Sequence, residues 1–179
     1  MFGAVRYSVF FVMEVKTRAV EIAGIRVNPD GEWMKQIARN LTDPIDGFLR
    51  NARYLIHDAD PLFADAFKAI LKPPDSADGE GVTCVQIPPR SPDCNPHAER
   101  FVKSIKYECL NHFVFFGERH LRYVIAEYID FYLQERFHQG IGSKLIRPVA
   151  KNDNVATDGP ITCKSRLGGL LNFYYREAT

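Results

Sequence analysis

Pro88-Pro89-Arg90-Ser91-Pro92-Asp93-Cys94-Asn95-Pro96-His97-Ala98-Glu99-Arg100-Phe101 runs from an extended approach straight into a helix. Residues that precede a proline are pushed out of the helical region, so 88–92 reads as an extended connector. Asn95 is a good capping residue, and Pro96 suits the first helical position, where a missing N–H costs nothing. From there Ala98, Phe101, Val102, Ile105 and Cys109 recur at the spacing of one buried helix face. Glu99, Lys103 and Lys106 fall on a separate line, one acid followed by two lysines at i+4 and i+7. Read as plain structure, that line is a solvated face with a Glu–Lys pair worth roughly 0.2–0.5 kcal/mol. Read as chemistry, it is a carboxylate that can hold a divalent cation, with a row of cations behind it that can hold phosphate. Arg100 lies off the line and reads as a solvated charge.

Upstream, Leu55-Ile56-His57-Asp58-Ala59-Asp60 is an apolar run that ends in carboxylates. It reads as a strand over 53–58. Open α/β sheets take ligands beyond the carboxyl ends of their parallel strands, which is where Asp58 stands. The two acids have different roles. Asp60, next to Pro61, is placed to cap a following helix, and Asp58 is left as the ligand candidate.

The rest of the chain falls around these two segments. Residues 7–13 and 18–25, separated by the polar turn Glu14-Val15-Lys16-Thr17, read as a hairpin. Asp30 caps a helix over 31–41 with Met34, Ile37, Ala38 and Leu41 on one face. Pro61 is placed at the start of a second helix carrying Phe63, Phe67, Ile70 and Leu71. Residues 72–81 are a loop, 82–87 a fourth strand, and 117–134 a long helix with Leu121, Val124, Ile125, Tyr128 and Tyr132 at core spacing. The order β-β-α-β-α-β-α-α implies an α/β fold with a mixed sheet covered by helices. The expected division is a core over 1–148, then a linker and a basic, aromatic extension over 149–179.

Composition narrows the function classes. An apolar content of 46% supports a packed core, so the chain is not globally disordered. A formal net charge of +1 excludes bulk basicity, so any nucleic-acid surface has to be local. The four cysteines, Cys84, Cys94, Cys109 and Cys163, form no C-x-x-C pair, and the five histidines form no H-x-x-x-H pair. That pattern argues against a zinc site and for a reduced, cytoplasmic chain. The short apolar run near the N-terminus reads as a core strand, and nothing approaches the roughly 20 apolar residues of a membrane span.

Taken in order, these segments resemble the integrase core of DDE transposases and retroviral-type integrases. Asp58-Ala59-Asp60-Pro61-Leu62-Phe63 resembles the segment that carries the family's second aspartate, with Phe63 as the aromatic five residues on. Residues 89–101 resemble the longer and more specific segment that carries the final glutamate. Tyr132, Arg136, His138 and Gln139 look like the tyrosine–arginine–histidine ending of bacterial transposases. The resemblance covers about 7–148 and implies a ribonuclease H-like fold. It also implies Mg²⁺- or Mn²⁺-dependent cutting and joining of DNA, with Asp58 and Glu99 as catalytic and metal-binding acids. Two ions would serve an in-line displacement. Lys103, Lys106 and Arg90 would contact the DNA of transposon ends and target, with affinity that falls with salt. A homo-oligomer is compatible with this reading.

Two departures qualify the resemblance. The family uses three acids, and no acid precedes Glu14 here. The first strand, which carries the first aspartate and lies centrally between the strands at 7–13 and 53–58, is not found. Without it both neighbouring strands lack backbone partners. The expectation is therefore an N-terminally truncated core, with a start upstream of Met1 or a decayed element. The alternative is a catalytically dead remnant acting at most as a DNA-binding module; a ribonuclease H-like nuclease is a third reading. The 40 residues between Asp58 and Glu99 exceed the family's usual spacing, and the excess falls in the 72–81 loop, where insertion is cheap.

Overall fold

The computed structural model describes residues 3–73, 80–89, 91–148 and 159–176. They form two compact units, one of Met1–Val12 with Glu21–Pro96, the other of Met13–Val20 with His97–Thr179.

In the first unit, β1 (Tyr7–Met13) pairs with β2 (Val20–Val27). The six residues between them are too few for a parallel crossover, so the pair is a hairpin. Its turn is closed by Arg18 N–H to the Glu14 carbonyl at 2.8 Å and Glu14 N–H to the Ala19 carbonyl at 2.9 Å. The tip of this hairpin belongs to the second unit. Helix α1 (Gly31–Leu41) begins where expected, because the Asp30 carboxylate accepts the Trp33 N–H at 2.8 Å. Its buried face is Met34, Ile37, Ala38 and Leu41. Gly24 on β2 lets that helix come close. A Cβ there would lie 2.6 Å from Cζ2 of Trp33 and 2.8 Å from Cδ1 of Ile37.

Strand β3 (Tyr54–His57) pairs in parallel with β4 (Thr83–Gln86), in the register Tyr54 opposite Thr83 and His57 opposite Gln86. Between them lies α2 (Asp65–Leu71), which packs Phe67 and Leu71 against α1. This helix starts four residues later than Pro61 suggested. The Asp60 carboxylate accepts the Leu62 N–H at 2.8 Å and its carbonyl accepts the Phe63 N–H at 3.0 Å, so 60–63 closes as a turn before the helix begins. Val12, Met34, Ile37, Ala38, Leu41, Leu49, Phe67, Leu71 and Val82 form one apolar core, with Phe10, Leu55 and Cys84 packed against it.

The expected continuous mixed sheet is not what these strands make. Among the described residues there are three separate two-stranded sheets, β1–β2, β3–β4 and β5–β6. β1 and β3 each bond along one edge only, although both pack on the α1/α2 core. The composition is still mixed α/β.

The second unit is built on α3 (Pro96–Glu108) and α4 (Glu118–Gln134). Phe101 meets Tyr132 edge-on at 5.1 Å and Tyr128 at 6.5 Å, and Ile105, Cys109, Leu121, Val124 and Ile125 complete the interior. A short 3₁₀ turn, Leu110–His112, leads into an extended stretch over 113–116. Its side chains alternate, leaving Val114 and Phe116 outside, the latter 82% exposed. Gly117 at φ 85° then turns the chain into α4, a conformation that favours glycine.

Beyond residues 149–158, which lie outside the description, the basic and aromatic extension forms an antiparallel hairpin. It consists of β5 (Ile161–Arg166) and β6 (Leu171–Arg176), with Gly168 at φ 68° in the turn. Leu171 and Phe173 are buried. The Arg166 guanidinium donates to Glu135 at 2.8 and 2.9 Å and to Glu127 at 3.0 Å, tying the hairpin to α4 and the residue that follows it.

Candidate functional site

The end of β3 presents Asp58. The strand stops there because the chain turns back on itself. The Asp60 N–H donates to Oδ1 of Asp58 at 3.3 Å, and Asp60 is in turn occupied by the Leu62 N–H. Asp60 is thus a turn-former, while the Asp58 carboxylate is exposed with one weak backbone partner. The residue before it is the opposite case. His57 is 4% exposed, its ring is stacked on Phe63 at 4.4 Å, and Nδ1 lies 2.6 Å from the Asp58 carbonyl oxygen. Nε2 of His57 is buried without a hydrogen-bond partner among the described residues.

On α3, Phe101 and Ile105 are buried, as is Cys109 just after it, with Ala98 and Val102 half-buried beside them. Glu99, Lys103 and Lys106 are all exposed. Among the described residues no ion pair joins Glu99 to Lys103, although their spacing permits one. The acid and both lysines are therefore open to a ligand. At the start of the same helix, burial first, and then the charges of Arg18 and Arg100, hold the His97 ring below its ordinary pKa. Arg18 comes from the hairpin tip, so cations from two segments act on one ring. Arg90 lies outside the described residues.

Asp58 belongs to the first unit and Glu99 to the second. Among the described residues no three His, Cys, Asp or Glu side chains converge as a metal-binding group. Carboxylate oxygens are the donors that Mg²⁺ or Mn²⁺ prefers, so the chemistry of Asp58 and Glu99 suits a hard ion, but their number does not complete a site.

One constellation was only partly legible in the sequence. Glu108 accepts from Nε and Nη2 of Arg136 at 3.1 and 2.7 Å and from the Tyr128 hydroxyl at 3.0 Å. Arg136 also lies over the Tyr132 ring at 5.7 Å, and His138 Nε2 donates to the Tyr132 carbonyl at 2.8 Å. Burial works against the charge on Arg136, but its bonds to Glu108 outweigh that and raise its pKa. Burial and then the Glu108 charge push the Tyr128 hydroxyl far above its usual range and Cys109 up to about 12. Tyr132, Arg136 and His138 thus sit in one internal network that ties the end of α3 to the end of α4. Tyr132, Arg136 and His138 stand out in the sequence as a group, but their partner Glu108 does not, because it is 28 positions from Arg136.

No helix among the described residues is long and apolar enough to cross a membrane. Comparison with curated proteins and with solved structures finds no match. A family model described as integrase core domain does match, over residues 80–145. The matched span takes in β4, α3 with Glu99, Lys103 and Lys106, and α4 with the Arg136 network, while Asp58 lies outside it. Residues 80–145 of this chain are accordingly similar to an integrase core domain.

Proposed function

We propose that this chain is the core of a transposase or integrase that binds DNA and acts in DNA integration, with Asp58 and Glu99 as two of its catalytic, metal-binding acids. The observation that carries the reading is the line on α3. Glu99, Lys103 and Lys106 are exposed, share one polar face and are not paired to each other, all within the span matched by the family. An exposed Glu–Lys pair at this spacing is worth only about 0.2–0.5 kcal/mol, so it competes weakly with a phosphate ligand. Left open, the lysines can follow a phosphate backbone, with Arg90 as a third contact.

Mg²⁺ or Mn²⁺ would supply Lewis-acid activation when bound. The finer reading is a ribonuclease H-like sheet completed by one further strand. That strand would lie along the open edges of β1 and β3 and bear a third acid. The separation of these strands into two sheets over one core supports it. The partners would be transposon ends and target DNA, met in the cytoplasm, with a second copy of the chain as a possible companion.

The alternative reading is a DNA-binding module without turnover. The deciding assay is Mg²⁺-dependent strand transfer on terminal-repeat DNA. Transfer abolished by Asp58→Asn and by Glu99→Gln supports the enzyme. Binding without transfer, unchanged by Asp58→Asn, supports the module. Under either reading Lys103→Ala and Lys106→Ala should each lower the salt-dependence slope of DNA binding by about one. An unchanged slope in both would remove α3 from the interface.

A further inference from the structure

Histidine is a poor choice for the place His57 occupies. Its ring is in the aromatic end of the first unit's core, stacked on Phe63, which in turn meets Phe10 at 5.7 Å and Phe67 at 5.5 Å. The Asp58 carbonyl oxygen can only accept, so Nδ1, 2.6 Å away, carries the hydrogen. In the neutral ring Nε2 is then a bare acceptor, and it is buried with no donor among the described residues. A phenylalanine would fill the same space without leaving an acceptor unpaired. What the histidine supplies, and an apolar ring lacks, is the Nδ1–H bond to the main chain of Asp58.

We infer that His57 is a positioning residue for Asp58: its buried ring, clamped on Phe63, pins the Asp58 carbonyl and so fixes the strand end from which the carboxylate projects. The functional meaning of this rests on the proposal that Asp58 is a catalytic acid. The geometry has two anchors. The β3–β4 ladder extends past His57 through the Ile87 N–H to the His57 carbonyl at 2.9 Å. The ring then holds the next carbonyl, so two successive peptide units are tied at the point where the chain turns. The carboxylate of Asp58 is left free on the outside, held only by the Asp60 N–H.

The test separates donor from ring. In the full chain, His57→Phe keeps the stack and loses the Nδ1–H, whereas His57→Asn loses the stack and keeps a donor close to the Nδ1 position. The readout is solvent exchange of the Asp60 amide, which reports whether the Asp58 carboxylate still sits over it, with α1 amides as the control for folding. Exchange at Asp60 should rise about fivefold in His57→Phe, the loss expected for one hydrogen bond, and return toward wild type in His57→Asn. No change in His57→Phe with α1 protected, or no recovery in His57→Asn, overturns the inference. Mn²⁺-induced broadening of the Asp58 and Asp60 amides in the same samples tests the underlying reading. If broadening is absent in the wild type, the metal role of Asp58 fails while the exchange result on His57 still stands or falls by itself.

Discussion

The two units reach stability by different means. Among the described residues of the first, every buried side chain but one is apolar, and that one is His57. In the second, Glu135 and His138 are buried, with Arg166 nearly so, and ionic contacts organise the ends of α3 and α4 and the β5–β6 hairpin. The contrast follows from what each unit has to join. A sheet face and two helices can close on carbon alone. A hairpin docked across the polar end of a helix brings charges together, and each must then be paired, since an unpaired buried ion is far more costly than an unpaired amide.

The largest effect should come from breaking the apolar unit. Phe67 is 1% exposed and meets Phe63 and α1, so Phe67→Ala should cost about 4 kcal/mol in chemical denaturation. Hydrogen exchange should show the loss first in α1 and α2. Equal loss in α4 would mean the two units unfold as one and the contrast is only descriptive.

Next comes the ionic unit. Arg166→Ala leaves Glu135, 4% exposed, with Lys164 at 2.5 Å as its remaining partner. The expected cost is about 3 kcal/mol, seen as loss of protection in β5 and β6. Arg166→Met, which restores packing but not charge, tells whether the pair or the burial matters. If both variants stay within experimental error of wild type, the network is a surface decoration.

The smallest effect is a pH dependence of the second unit alone. Burial, the main cause, holds the His138 ring below its ordinary value of 6.5; the bond to the Tyr132 carbonyl opposes this and the Arg136 charge reinforces it. The folded state therefore binds fewer protons than the unfolded state below that value. The contribution is complete above pH 6.5 and is lost as pH falls through the folded pKa. Denaturation midpoints at pH 7.5 and 5.5 should differ in the wild type and differ less in His138→Phe. His97 shifts in the same direction, so some slope remains.

Local chemistry made much of this legible. Asp30 as a cap, the α1 stripe and the α3 stripe with Glu99 and the lysines outside it can all be read from spacing, because a helix face is decided by residues three and four apart. The α2 start was misread because two local rules competed. Pro61 favours a helix start, but the Asp60 side chain closes a turn first. Sheet continuity was beyond reach, since strand pairing is set by contacts far apart in the chain. The C-terminal hairpin was overlooked even though Gly168-Gly169 is a turn signal. Asp58 could be picked out as an exposed strand-end acid. His57 could not, because nothing in its neighbours says that its ring points inward while the next side chain points out.

The stretch Phe113-Val114-Phe115-Phe116 has a consequence for how the chain behaves in solution. It is extended, uncharged and free of proline, with Val114 and Phe116 facing water. Such segments nucleate intermolecular sheets when their surroundings loosen. Gly117, Glu118 and Arg119 follow at once: a residue poorly suited to strands, then two charges of opposite sign. A strand-disfavouring residue and two charges thus stand directly after Phe116, which works against a sheet growing past it.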